Sequence, residues 1–485
     1  MINDGMLTKR QKDRGYLKIL YQSFGAMVAI MSQNLVELLA LAFTSHYNPS
    51  RHVFGGVGLG LLYLNMSCLS IGYGFAGGLD TLVSQSYGNS DDYLIVPKSK
   101  YMCGVHLNRA RILSTILFIP QTLLIFYWVP ILLFLGQDID IIEHTKTYLL
   151  IVIPGAWCMV QYENTKWYLH AMKEFNLPMY VQCFTCFLHF LILHFYGQSK
   201  GLLEIEDIAT IVLINYILNF SIITGIITVF KDRYVPKNSW HFFDKNSFKN
   251  LHSYWAYGIP TALMRWLDWW SLEFISIMAG WLTTTEFLAS VSMINLQSLL
   301  FMLPNGLASS TCNLVGNALG ANCPEEARKY AKAGVVTAFG FSTVVWVVLF
   351  IFKSQVAHIY STDHSVQACL ESTIPIICLF VLFDHVQWIE CGIIRSMGYQ
   401  NFGTIWVLVW FWFIGLPCSY ILGFLLGFQI HGIYFGIVIA VIVLASVFTW
   451  NIIKTDWDEL AESVSKRLIE EENEVEMSVS EITVK

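Results

Sequence analysis

Long apolar stretches, separated by short polar segments, recur twelve times along this chain of 485 residues. About 20 largely apolar residues cross the hydrocarbon core of a bilayer as an α-helix. Charged residues make up 13% of the chain, against roughly 25% in water-soluble domains. The sequence therefore predicts an all-α integral membrane protein with twelve transmembrane helices. Their predicted starts lie near Leu17, Val53, Val105, His144, Leu177, Asp207, Leu251, Glu286, Glu325, Ser365, Phe402 and Ile430.

Lysine and arginine are distributed unevenly among the short loops. Residues 231–250 alone hold five of them, whereas every second loop holds little more than Arg51, Lys146, Lys200 or Lys353. Because cytoplasmic loops are enriched in both residues, both termini are predicted to face the cytoplasm. The membrane is predicted to be the plasma membrane or a vacuolar or other endomembrane.

An internal repeat divides the chain into two halves. Residues 84–89 resemble residues 316–321, and Pro154 has a counterpart in Pro375, at separations of 232 and 221 residues. These separations equal about six helices, so both copies have the same orientation, an arrangement found in secondary transporters. Two pseudo-symmetric six-helix lobes are therefore predicted. The predicted segments are a cytoplasmic N-terminus (1–16), an N-lobe (17–230), a connector (231–250), a C-lobe (251–453) and a tail (454–485).

The tail is strongly acidic. From Lys454 to the end it holds ten acidic and four basic residues, with few large apolar side chains towards the end. Such a composition is typical of solvated, disordered segments. We expect an acidic, disordered cytoplasmic tail.

Three acidic residues in predicted spans are candidate binding groups. A charge in a spanning helix costs at least a few kcal/mol, so it usually faces a cavity and has a function. Asp268 lies near mid-membrane, Glu273 lies about 7 to 8 Å further out on the same helix, and Asp384 is central in the tenth helix. Because one buried carboxylate can hold either a proton or a cation, these three acids are predicted to bind substrate and protons.

Four other acidic residues in spans have different interpretations. Glu163 and Glu390 lie close in sequence to Lys166 and Arg395, which favours structural or gating ion pairs. Asp80 receives the same structural or gating interpretation. For Glu37, cavity lining and packing remain equally open.

Tryptophans surround Asp268. Trp266, Trp269 and Trp270 lie far from the interfacial belt where tryptophan usually gathers. They could line a cavity and hold an organic cation by cation–π attraction, or they could pack in the core. The sequence leaves both interpretations open.

Four segments resemble the multidrug and toxin extrusion (MATE) family, particularly its eukaryotic branch, in the wider multidrug/oligosaccharidyl-lipid/polysaccharide exporter superfamily. Residues 79–88, 303–321 and 392–400 are similar to the family's signatures in helices two, eight and ten. Residues 268–273 look like its acid-Trp-Trp-x-x-Glu pattern, and Phe383-Asp384 precedes Arg395 as in the family. The resemblance implies that Asp268, Glu273 and Asp384 bind cations and protons.

The chain departs from the family at several positions. Asn295 stands where some animal members have a glutamate, which makes it a predicted cavity-lining residue. The bacterial helix-one aspartate falls near Ala40, one turn after Glu37. Leu314 replaces an arginine of the helix-eight signature. His170 and Met172 replace glutamines that are usual in helix four. These departures bear on the substrate and the coupling ion.

The predicted function is a secondary active transporter that exports organic cations, drugs or metabolites in exchange for H⁺ by alternating access, with Na⁺ as a possible coupling ion. Its predicted partners are a small organic cation and the lipid bilayer, without nucleic acid, and the chain is predicted to be a monomer. One alternative is a flippase for lipid-linked precursors, which a basic cavity would favour. Another is a membrane-embedded enzyme, but no catalytic constellation, metal site or cofactor motif is evident.

Overall fold

Thirteen helices dominate the computed structural model, which describes residues 4–89, 98–134, 138–242 and 244–483, with side chains for 15–89, 100–123, 138–242, 244–471 and 473. All regular secondary structure in these ranges is helical. The helices are α1 (Asp4–Tyr47), α2 (Arg51–Gly88), α3 (Lys98–Phe134), α4 (Ile139–Ala171), α5 (Asn176–Lys200), α6 (Ile205–Val229), α7 (Leu251–Ala279), α8 (Thr284–Gly320), α9 (Pro324–Ile351), α10 (His364–Ser396), α11 (Gln400–Leu425), α12 (Gln429–Lys454) and α13 (Trp457–Thr483).

The helices begin and end where the sequence supplies capping residues. α8 begins with a capping box in which Thr283 and Glu286 each bind the other's backbone N–H, which satisfies donors that the first turn leaves unpaired. Asp363 caps α10 because its side chain accepts hydrogen bonds from the backbone N–H groups of Ser365 and Val366. α5 and α10 are followed by Gly201 and Gly398 at φ of 76° and 82°, a conformation that favours glycine.

Three segments within the long helices are π-helical rather than α-helical. In α2 this segment is Asn65–Leu69, and in α11 the segments are Leu408–Gly415 and Ile421–Leu425. A π-helix closes each hydrogen bond over one more residue than an α-helix. The face that α2 or α11 presents therefore changes along its length.

Long apolar helices with exposed apolar side chains suit a bilayer. Within the described residues, nine helices are long and apolar enough to cross a membrane, namely α1, α2, α5, α6 and α8–α12. Large side chains such as Tyr21, Phe195 and Phe413 are 63 to 72% exposed, which water would penalise and lipid accommodates.

Residue contacts divide the chain into two compact units. The first comprises the residues up to Phe24 with Leu263–Lys466, and the second comprises Gly25–Ala262 with the residues from Arg467 onward. We call them the 263–466 unit and the 25–262 unit. The predicted lobe boundaries stay a prediction.

Glycine allows α2 and α4 to approach closely within the 25–262 unit. A methyl group added to Gly72 would lie 2.7 Å from a methyl carbon of Val160, nearer than carbon atoms normally approach. This agrees with the general role of small residues at helix contacts in membranes. In the 263–466 unit, α8, α10 and α12 pack around a core that includes Cys378, Ile437 and Leu444.

The expectation of a disordered tail is wrong for the described residues, because Trp457–Thr483 form helix α13. Five of its described apolar residues recur at helical spacing and are buried, whereas Ile469 is exposed. The five buried residues are Trp457, Leu460, Ala461, Val464 and Leu468. Burial of this apolar face stabilises a helix that net charge alone would not predict.

Candidate functional site

The three predicted binding acids, Asp268, Glu273 and Asp384, line one cleft within the 263–466 unit. The cleft has an empty volume of about 440 Å³, which includes space open to solvent. α7 contributes two of the acids and α10 contributes the third. The other lining residues are Trp269, Leu272, Ile294, Gln297, Ser298 and Phe301.

Helical spacing brings these side chains onto the cleft. On α7 the lining residues occupy positions 268, 269, 272 and 273, and on α8 they occupy 294, 297, 298 and 301. Residues three or four apart lie on the same face of an α-helix. Each helix therefore presents one continuous stripe to the cleft.

Asp268 and Asp384 are buried, at 3% exposure each, whereas Glu273 is exposed. Oδ1 of Asp268 is buried and accepts no hydrogen bond from a described residue. The negative charges of Asp268 and Asp384 repel each other. A buried carboxylate pair of this kind is stabilised by a proton or a cation.

Aromatic rings extend from the cleft to a basic side chain of the protein itself. The rings of Trp269 and Phe301 lie 5.6 Å apart between centroids, and those of Phe301 and Trp388 lie 4.6 Å apart. The guanidinium carbon of Arg265 lies 5.4 Å from the centroid of Trp388. This geometry is that of a cation–π interaction, so the aromatic chain already holds one cation at its far end.

The other predicted tryptophans lie differently. Trp266 and Trp270 pack against each other with ring centroids 4.4 Å apart. Of the three tryptophans, Trp269 lines the cleft described above. Asn295 is exposed, and its neighbours Ile294 and Gln297 are the residues of this turn that line the cleft.

Glu37 and Asp80 belong to the 25–262 unit. Glu37 accepts a hydrogen bond of 3.0 Å from Nδ2 of Asn65, at the first residue of the π-helical segment in α2. Asp80 is fully buried in α2. Neither residue lines the cleft of the 263–466 unit.

Glu163 and Glu390 are both buried, with different partners. Glu163 lies 2.6 Å from Nζ of Lys166 and accepts a hydrogen bond of 3.1 Å from Trp167. Oε1 of Glu390 accepts a hydrogen bond from the hydroxyl of Thr449. Arg395 is 5% exposed, and its carbonyl accepts a hydrogen bond of 3.2 Å from Gln400.

Sequence reasoning predicted a cavity-lining residue of α8 at Asn295 but missed the four residues of α8 that line this cleft. Ile294, Gln297, Ser298 and Phe301 follow the spacing of one helix face, and two polar side chains within an apolar span are themselves a signal. The pattern was present in the sequence. It predicts which face of α8 is polar, but it does not specify which helix packs opposite that face.

An apolar helical bundle with two buried acids and an aromatic side chain lining one cleft is typical of a multi-pass membrane transport protein. Comparison with known proteins identifies the family of transporters to which the chain belongs. The family model MatE matches residues 26–195 and 260–421, and the chain belongs to the MatE family. Members of this family are transporters rather than enzymes, and this protein is a membrane transporter with twelve transmembrane helices.

Relatives and solved structures extend over most of the chain. Multidrug and toxin extrusion protein 2 of Homo sapiens is 25% identical over 464 residues, which cover 89% of this chain and 75% of the relative. Protein DETOXIFICATION 9 of Arabidopsis thaliana is 26% identical over 479 residues, covering 96% and 95%. The crystal structure of the eukaryotic MATE transporter AtDTX14 has a TM-score of 0.86 at 22% identity, covering 94% of this chain and 99% of that one.

Proposed function

We propose that this transporter exports small organic cations in exchange for protons, and that the cleft around Asp268, Glu273 and Asp384 binds both. One observation carries the proposal: two buried carboxylates from different helices, Asp268 and Asp384, face a single cleft with an aromatic wall. The names of the relatives, which describe extrusion of drugs and toxins, support the same class of substrate.

Exchange follows from the cost of leaving the two carboxylates charged and uncompensated. Removing a charge from water is expensive, and two like charges in one cavity repel. Each carboxylate is therefore stabilised by a bound proton or by the positive charge of a substrate. Because both ligands neutralise the same oxygens, binding of one favours release of the other.

The aromatic wall explains why the cation would be organic. Trp269 and Phe301 line the cleft together with the acids, and their rings pack edge to face against each other. A delocalised or alkylated cation gains from burial of its apolar surface and from cation–π attraction, whereas a small hydrated metal ion would lose its water shell. The cleft thus favours amphipathic cations.

The transport cycle proposed for the molecule is alternating access. Deprotonated acids take up the substrate from the cytoplasm, the lobes rock, and protons from the opposite side displace the substrate. The uneven distribution of lysine and arginine supports cytoplasmic termini. We propose the plasma membrane or an endomembrane as the location. We propose that the transporter works as a monomer; all lining residues of the cleft lie within the 263–466 unit.

The test is efflux from liposomes that contain the purified protein and a fluorescent organic cation. We expect a pH gradient to drive efflux and a sodium gradient alone to be ineffective. Asp268→Asn and Asp384→Asn should each abolish gradient-driven efflux. Glu206→Gln, at an exposed position near the start of α6, is the matched control and should transport normally.

Two results would contradict the proposal. Normal efflux in both aspartate variants would remove the carboxylates from the mechanism. Efflux that depends on the sodium gradient and not on the pH gradient would show that the coupling ion is Na⁺ rather than H⁺.

A further inference from the structure

We infer that His106 of α3 lies at the centre of a carboxylate-binding pocket, and that its ligand is Glu471 of the chain's own C-terminal helix, α13. Oε2 of Glu471 lies 3.5 Å from Nε2 of His106. The positive charge of Arg109 also acts on this carboxylate. His106 is fully buried and Arg109 is 3% exposed, so the pocket is built into the 25–262 unit.

Arg467 attaches the same segment of α13 to two further helices. It donates hydrogen bonds to Oε1 of Gln85 in α2 and to the hydroxyl of Tyr257 in α7. Its guanidinium carbon lies 5.2 Å from the ring centroid of Tyr257, and its Nε lies 3.6 Å from Oε1 of Glu471. The two side chains therefore support each other, since Arg467 is both an anchor and a partner of the bound carboxylate.

The charge of Glu471 is maintained in the pocket. Burial acts to raise the pKa of this carboxyl, but His106, Arg467 and Arg109 together hold the pKa below its ordinary value. A carboxylate partly withdrawn from water is kept charged only where such partners compensate it. This distinguishes Glu471 from Glu470, which is exposed one residue earlier.

The docked segment restrains the transporter. α13 is one continuous helix, and its residues divide between the two units at Lys466 and Arg467. Trp457, Leu460 and Val464 are buried in the first half, and the second half holds Arg467 and Glu471. This consequence rests on the proposed function: a transport cycle that displaces residues 467–473 must break the contacts of Arg467 and Glu471 within the 25–262 unit, and breaking them slows the cycle.

Hydrogen exchange of the full-length protein in detergent or liposomes tests the docking without any transport measurement. Arg467→Ala and Glu471→Gln should speed exchange of the amides in residues 467–473 about tenfold, the factor that corresponds to about 1.4 kcal/mol. Lys466→Ala and Glu470→Gln are the matched controls at exposed neighbouring positions, and they should exchange like the natural chain. Exchange in α10 and α12 should be unchanged in all four variants, which reports an intact fold.

Unchanged exchange at residues 467–473 in Glu471→Gln would overturn the pocket. His106→Gln provides the reciprocal test, because it alters the pocket while leaving α13 itself untouched. We expect it to release the same amides. Continued protection in this variant would also count against the inference.

Transport rates then test the restraint. Arg467→Ala and Glu471→Gln should raise the maximal efflux rate about 3- to 10-fold with an unchanged KM, since the cleft residues are unaltered. An equal or lower rate with faster tail exchange would show that docking does not restrain transport. If the proposed function itself were wrong, the natural chain would also lack pH-driven efflux, while the exchange experiment would still report the docking.

Discussion

Phe301 and Trp388 pack edge to face, with 4.6 Å between their ring centroids and 66° between their planes. Phe301 lines the cleft, whereas Trp388 is 2% exposed and carries the guanidinium of Arg265 on its ring. The aromatic wall is thus supported from behind by a buried residue. In the chain of rings Trp269–Phe301–Trp388, the arginine lies at one end and the cleft residue Trp269 lies at the other.

This arrangement predicts a specific loss of affinity in Phe301→Ala. The substitution removes a ring from the wall, and a cation–π contact contributes about 0.5 to 2 kcal/mol, so we expect the KM for organic cations to rise several-fold. Efflux kinetics across a series of substrate concentrations measure this. Phe339→Ala, at a position that is 51% exposed on α9, should leave the KM unchanged. An equal rise in both variants would mean that the effect is not local to the cleft.

The Glu163–Lys166 pair predicts a large loss of stability when one partner is removed. Both side chains are at most 6% exposed, so Lys166→Met leaves a buried carboxylate without its partner, at a cost of about 3 to 5 kcal/mol. Adding Glu163→Gln to this variant should recover most of the loss. Thermal unfolding in detergent gives the comparison. Lys329→Met breaks an exposed pair with Glu325 and should cost less than about 1 kcal/mol.

The close contact of α2 with α4 predicts that Gly72→Ala is destabilising. The new methyl group would lie 2.7 Å from Val160, and overpacking of this kind costs about 1 to 3 kcal/mol. Gly225→Ala is the control, because nothing lies within 4 Å of a methyl group at that position. Its effect should be neutral or stabilising, since alanine favours helix more than glycine. Equal melting temperatures for the two variants would contradict the packing argument.

The docked carboxylate of Glu471 predicts how attachment of α13 depends on pH. Its pKa is lowered in the docked state, so docking is favoured above the ordinary glutamate pKa of about 4.3 and weakens as pH falls through the lowered value. Protection of residues 467–473, corrected for intrinsic exchange rates, should therefore be constant between about pH 5.5 and 7.5 and fall below about pH 4. Loss of protection between pH 7.5 and 5.5 would assign control to another group.

Much of the fold was predictable because a bilayer imposes simple rules. The twelve predicted spans correspond to α1–α12, since span length and polar breaks depend on local sequence alone. Asp268 and Asp384 could be chosen from the sequence as candidate binding residues for a related reason, because a charge in an apolar span is unusual. Their meeting in one cleft depended on the packing of α7 against α8 and α10, which local sequence does not specify.

α13 illustrates what composition conceals. Its acidic residues suggested disorder, yet Trp457, Leu460, Val464 and Leu468 recur on one helix face and are buried. The charge count weighs every residue equally, whereas folding depends on where the apolar residues lie. The contacts of Arg467 with Gln85 and Tyr257 join residues about 380 and 210 positions away, so no local pattern could reveal them.

The two π-helical segments of α11, Leu408–Gly415 and Ile421–Leu425, change how substitutions in this helix must be interpreted. Each extra residue in a helical turn rotates everything beyond it by about 100° relative to a regular α-helix. A helical wheel drawn from Gln400 therefore assigns the wrong face to residues after Gly415. Deleting a single residue within Leu408–Gly415 would rotate Ser419, now buried, away from α12 and turn a lipid-facing side chain towards the protein interior.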